Sequence, residues 1–236
     1  MRRLARARAA AVLLALCACG RPPAPVPEAD PCAGLPAGGA WDLNCSFSLS
    51  ANAPPEPGRW QYGFAPAAAP DRFQPMTTAD TSDPVGLWHP DSRTYYPYVA
   101  SNSTTLGRVD ATNSWAVRAR QVAMEAAPDG AVSVVRFIVP DDATYTIEAV
   151  FEGIHFRHST TDVHVRRGGA ALFDAEIDGY GGDPAFHAID GSSPTARFVG
   201  TLALRRGEIV SFVVGVGKDA ANANDTTGLR ARLTRD

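Results

Sequence analysis

Thr144-Tyr145-Thr146-Ile147-Glu148-Ala149-Val150-Phe151 sets Tyr145, Ile147, Ala149 and Phe151 on one side of an extended chain. A hydrophobic period of two is that of a β-strand with one buried face. Thr161-Asp162-Val163-His164-Val165 alternates in the same way, and Glu208 to Val216 supplies a further apolar run. Gly-containing turns separate these runs across the whole of Ser133 to Leu233. Short strands with closely spaced turns predict an antiparallel all-β sandwich or barrel rather than an α/β enzyme.

Two hairpins follow from the pattern. A three-residue loop at Gly168-Gly169-Ala170 sets Val163 opposite Ala175 and Val165 opposite Phe173. The same register puts His164 opposite Asp174 and Asp162 opposite Glu176 on the other face. A turn at Arg206-Gly207-Glu208 is expected to pair Leu204 with Val210 and Leu202 with Phe212. Trp115 to Ala126 is ambiguous between a helical stripe and alternation, and is read as strand because everything after it is β.

A chain of 236 residues has room for one generous all-β domain and a tail. Hydrophobic residues make up 45%, enough for a core, while 19 Pro and 21 Gly favour turns over long helices. Arg2, Arg3, Arg6 and Arg8 precede the apolar run 9–16, a basic start and short hydrophobic stretch typical of a secretory signal. Leu16-Cys17-Ala18-Cys19 resembles a bacterial lipobox, with Leu16 at −3 and Ala18 at −1 of Cys19, which is therefore the expected lipidation site. Residues 1–18 are read as the lipoprotein signal peptide and 19–40 as a Pro/Ala-rich linker of extended polyproline geometry. The folded domain is then 41–236. Gly20 after the lipidated cysteine resembles the outer-membrane sorting pattern.

Cleavage before Cys19 would remove four of the 22 basic residues and none of the 25 acidic ones, taking the net charge from −3 to −7. That balance argues against nucleic acid, which calls for a cationic surface. It also leaves acyl chains on Cys19 as the expected means of membrane attachment. Cys32 and Cys45 form an even pair in an exported chain, and a disulfide between them is expected.

The strands also carry a resemblance. Ser133-Val134-Val135-Arg136-Phe137-Ile138-Val139-Pro140, Phe151-Glu152-Gly153-Ile154, Thr160-Thr161-Asp162-Val163-His164-Val165 and Asn224-Asp225-Thr226-Thr227-Gly228-Leu229 follow one another in an order that resembles a known module. It is the β-sandwich module recurring in exported bacterial proteins, often ones with a PEP-CTERM sorting tail. Earlier segments, Gly58-Arg59-Trp60-Gln61-Tyr62-Gly63 and Trp88-His89-Pro90, fit the same series. No sorting tail is read in the residues from 1 to 236, and Pro184 to Thr195 is read as an insertion relative to the module. The resemblance implies a jelly roll of the carbohydrate-binding kind, with no established catalytic activity.

Three constellations are candidates for chemistry. Tyr95, Tyr96 and Tyr98 sit among Pro and polar residues, and aromatic faces of this kind stack on sugar rings. Trp60 and Trp88 lie in the segments that resemble the module and are read instead as core. His155, His158, Asp162 and His164, with His187 further on, form a second group, which lacks the His-x-His spacing of a cupin metal site. Asp219, Asn222, Asn224 and Asp225 crowd one loop, and Asp178 and Asp183 flank another turn. Such oxygens suit calcium or simply cap turns. Gly191-Ser192-Ser193 is no nucleophile elbow.

The expectation is a non-catalytic, lipid-anchored surface binding module on a Pro-rich stalk, with carbohydrate as candidate ligand. Two other readings stay open: a metal-dependent jelly-roll enzyme using the His155–His164 cluster, or a structural envelope subunit docking on a protein partner.

Overall fold

The structure, a computed structural model, describes residues 30, 32–34, 38–52, 54–80, 85–110, 112, 114–182 and 190–236. The expected signal peptide, the lipidation site Cys19, most of the linker, Asp183 and His187 lie outside the described residues.

The described chain is an antiparallel β-sandwich of jelly-roll type. The first sheet runs in the order β15 (Thr195–Leu204), β11 (Ala143–Gly153), β17 (Thr227–Arg235), β9 (Val122–Glu125), β6 (Tyr98–Asn102), β5 (Val85–His89) and β4 (Thr78–Asp80). A short β1 (Ala40–Asp42) also pairs with β17. The second sheet runs β14 (Asp190–Ser193), β13 (Ala170–Tyr180), β12 (Thr160–Arg167), β16 (Ile209–Val214), β10 (Val132–Ile138), β2 (Trp60–Ala65) and β3 (Gln74–Pro75). A separate hairpin joins β7 (Arg108–Asp110) to β8 (Trp115–Val117). One helical turn, α1 (Leu43–Ser46), follows β1, its first N–H groups capped by the Asp42 carboxylate.

The alternation in β11 places Tyr145, Ile147, Ala149 and Phe151 in the inter-sheet core, while Thr144 and Glu148 face water. Val163 and Val165 of β12 and Val210, Phe212 and Val214 of β16 meet them from the opposite sheet. Each such aliphatic or aromatic side chain contributes roughly 1.5–3 kcal/mol on leaving water. Trp60 and Trp88 are both buried in this core, as read from the sequence. Trp115 to Ala126 holds strands, β8 and β9.

The β12–β13 hairpin has the expected pairs, Val163 with Ala175, His164 with Asp174 and Val165 with Phe173. Its loop is shorter than expected: a bulge after Val165 brings Arg167 opposite Ala170, leaving Gly168 and Gly169 to turn. The expected hairpin between β15 and β16 does not form. β15 pairs with β11 in the first sheet, whereas β16 lies between β10 and β12 in the second. The turn between them crosses from sheet to sheet, held by Gly207 N donating to Val139 O at 2.8 Å and Val139 N to Glu208 O at 2.9 Å. Leu204 and Val210 point into the same core in either arrangement, so their alternation does not distinguish a hairpin from a crossover.

Cys32 and Cys45 are joined by a disulfide, Cα–Cα 5.5 Å, which ties the end of the linker to α1. Among the described residues no helix is long and apolar enough to cross a membrane.

Candidate functional site

The outer face of the first sheet carries a second, smaller apolar cluster. Because Val99 and Met124 turn into the main core, their neighbours on β6 and β9 point the other way. Leu87, Ala100 and Ala123 therefore form a row across β5, β6 and β9 on the outer face. The β7–β8 hairpin covers it with Val117 and Trp115. The hairpin is fastened to the chain after β11: Ala116 N donates to Ile154 O at 2.9 Å, and Phe156 N to Ser114 O at 2.6 Å.

Where the hairpin ends, a cleft of about 600 Å³ opens. One side is the tyrosine group at the start of β6. Ring centroids are 5.1 Å apart for Tyr95–Tyr96, 5.6 Å for Tyr95–Tyr98 and 5.7 Å for Tyr96–Tyr98. His89 stacks behind Tyr95 at 6.1 Å. Facing the rings are Trp115, His155 and the loop bearing Asn222 and Asn224.

Glu125 lies at the floor, directly across from Tyr98 in the β6–β9 ladder. Its Oε2 accepts from the Tyr98 hydroxyl at 2.7 Å and from Thr226 Oγ1 at 2.6 Å. Burial raises the Glu125 carboxyl above its ordinary range, and the hydrogen bonds from Thr226 and Tyr98 only partly offset this. Burial, reinforced by the Glu125 carboxylate, holds the Tyr98 hydroxyl protonated well beyond neutral pH.

The three tyrosines named from the sequence thus come together, but unequally. Tyr95 is 49% exposed, Tyr96 is half-buried, and Tyr98 is tied down through its hydroxyl. The residues named for calcium are divided. Asn222 and Asn224 line the tyrosine cleft. Asp219 is exposed, and its Oδ1 accepts from Ala221 N at 3.2 Å, a turn-capping contact. Asp225 is buried, its Oδ1 accepting from Ser159 Oγ and its Oδ2 without a partner. Burial pushes the Asp225 carboxyl up to about 8. Among the described residues no three His, Cys, Asp or Glu side chains gather as a metal centre requires.

The histidine group disperses as well. His164 lies between Asp174 (2.6 Å) and Asp162 (2.7 Å) on the outer face of β12 and β13. His158 sits 2.5 Å from Asp178, and His155 alone reaches the cleft. Hydrogen bonding to Asp162 raises the His164 pKa and lowers that of Asp162. A metal-dependent mechanism using the whole group has no convergent ligand set among these residues.

Sequence reasoning missed Trp115, Glu125, His155 and Thr226 as lining residues of the cleft. Glu125 had a legible signal: it falls between Met124 and Ala126 of an alternating run, so it faces away from the core.

No protein-family model matches the chain, and no curated protein matches it. Solved structures similar to it at low identity are found. The CBM51 domain from Clostridium perfringens GH95, in complex with methyl-galactose, is 13% identical with a TM-score of 0.39. It is matched over 68% of this chain and 95% of its own. A CBM4 structure is 14% identical over 69% of this chain and 95% of its own, TM-score 0.32. A family 35 carbohydrate-binding module from Clostridium thermocellum is 10% identical over 49% and 78%, TM-score 0.31.

Proposed function

We propose that this chain is a non-catalytic carbohydrate-binding module, displayed on the bacterial envelope by a lipid on Cys19. The tyrosine cleft is its binding site. The observation that carries this reading is the grouping of Tyr95, Tyr96 and Trp115 around one cleft, with Glu125, His155, Asn222 and Asn224 between and beneath them. Aromatic faces remove the apolar C–H face of a sugar ring from water, while the carboxylate and amide groups bond its hydroxyls. Glycoside hydrolysis by the usual route uses two carboxyl groups flanking the bond. Among the described residues lining the cleft, Glu125 is the one acid. That composition suits retention of a glycan better than its cleavage.

A glycan array probed with the full chain tests the proposal. Binding to a defined set of glycans, lost in Tyr95→Ala and Trp115→Ala, is the expected result. An array on which the wild-type chain retains nothing, or retains the same glycans after both substitutions, removes the cleft from consideration.

A further inference from the structure

Beside the polar cleft lies a second space, a slot of about 200 Å³ beneath the β7–β8 hairpin. Tyr95, Tyr98, Trp115 and Thr226 line both, forming a common wall. The slot is otherwise enclosed mainly by Leu87, Ala100, Val117, Ala123 and Ile154, each more than nine-tenths buried, with Asp80 at its exposed rim.

Its chemistry differs from that of the cleft. On the common wall the Tyr98 and Thr226 hydroxyls are already engaged, both donating to Glu125 Oε2. A polar group placed deep among Leu87, Ala100, Val117, Ala123 and Ile154 would lose its water and find no side-chain partner among them. An apolar group loses nothing, and an apolar cavity of about 150 Å³ is known to take a benzene-sized molecule. Alanine at positions 100 and 123 keeps this space open, where a larger side chain would fill it.

We infer that the ligand is a glycan bearing an apolar substituent, an alkyl or acyl group several carbons long. The substituent enters the slot while the tyrosines hold the sugar ring. The inference rests on the sugar-binding reading of the cleft and adds the class of glycan.

The test titrates the full chain with methyl and butyl glycosides of glucose, galactose and xylose. Each methylene moved from water into the slot should tighten binding roughly fourfold, so butyl should exceed methyl by roughly 50-fold. Ala123→Leu, which fills the slot without touching the cleft, should abolish that gain and leave the methyl glycoside affinity in place. Ala100→Val serves the same purpose if Ala123→Leu does not fold. Equal affinity for methyl and butyl glycosides overturns the inference and leaves the sugar reading standing. So does a chain-length gain that survives both substitutions. No binding of any glycoside at either length overturns the sugar reading and this inference together.

Discussion

Tyr95 and Tyr98 share one ring cluster but are held by different forces. Tyr95 rests on its neighbours with half its surface in water, whereas Tyr98 is anchored through Glu125 and Thr226. Tyr95→Ala should therefore cost on the order of 1–3 kcal/mol of ligand affinity, by analogy with base stacking on aromatics. Its melting temperature should stay near that of the wild type. Tyr98→Ala should lower stability by several kcal/mol, because it opens a cavity and strips a buried carboxyl of a donor. Calorimetry and denaturant melts on the two variants read both quantities, and a stable, binding-competent Tyr98→Ala would refute the division. Asp225 carries a second prediction at this scale. Its folded-state pKa of about 8 lies above the ordinary 3.8, so folding favours the protonated carboxyl. The sign follows: stability is full below about pH 4, falls as pH rises, and levels off above about pH 8. The slope is at most about 1.4 kcal/mol per pH unit. Asp225→Asn should flatten the stability profile between pH 5 and 8. Parallel profiles for the two proteins in thermal melts would show that Asp225 does not titrate in this window.

Elements differ in how fully local pattern specifies them. The β12–β13 hairpin was legible in its pairs from Asp162 to Val165, because the two alternating runs leave one register in which both apolar faces agree. It was not legible at its turn, where a bulge after Val165 shortens the expected three-residue loop to Gly168 and Gly169. The β15–β16 connection was not. There the partner strands were decided by β11, which offers β15 an edge, and by β10 and β12, which flank β16. These partners are dozens of residues away in sequence, beyond what alternation reports. The disulfide acts at the scale of an element too. It closes a separation of 13 residues and fastens the start of the domain near β1, which adds to β17. Loop-closure entropy assigns such a link about 3 kcal/mol. The Cys32→Ala/Cys45→Ala double variant should lose that amount in urea denaturation, and an unchanged midpoint would show that the link does not stabilise the fold.

At the scale of the whole molecule, the sheet has two faces with two tasks. The inner face of the first sheet builds the core with the second, while its outer face carries the row Leu87, Ala100 and Ala123, the cleft and the slot. A module tethered by its N-terminus through a Pro-rich segment would leave this face free to meet a large glycan. Cys19→Ala is accordingly expected to release the protein from membrane fractions or leave the signal uncleaved. Immunoblots of fractionated cells check this, and a processed variant that stays membrane-bound would discard the anchor. The amino-acid sequence by itself determined the all-β class, the placing of Trp60 and Trp88 in the core, the cysteine pairing and the β12–β13 register. The class, the cysteine pairing and the register depend on composition or on neighbours within about twenty residues, and the placing of Trp60 and Trp88 on the segments that resemble the module. The site was partly legible: Pro-rich, polar surroundings led to a surface reading of Tyr95, Tyr96 and Tyr98 together, which suits the exposed Tyr95 and not Tyr98, anchored through its hydroxyl to Glu125. Only the tertiary structure joined Tyr95 to Trp115, Glu125, His155 and Asn222, and separated Asn222 and Asn224 from the buried Asp225. Those neighbours come from β8, β9 and two loops, brought to one cleft by the long-range pairing of β6, β9 and β17 and by the bonds that fasten the β7–β8 hairpin to the chain after β11.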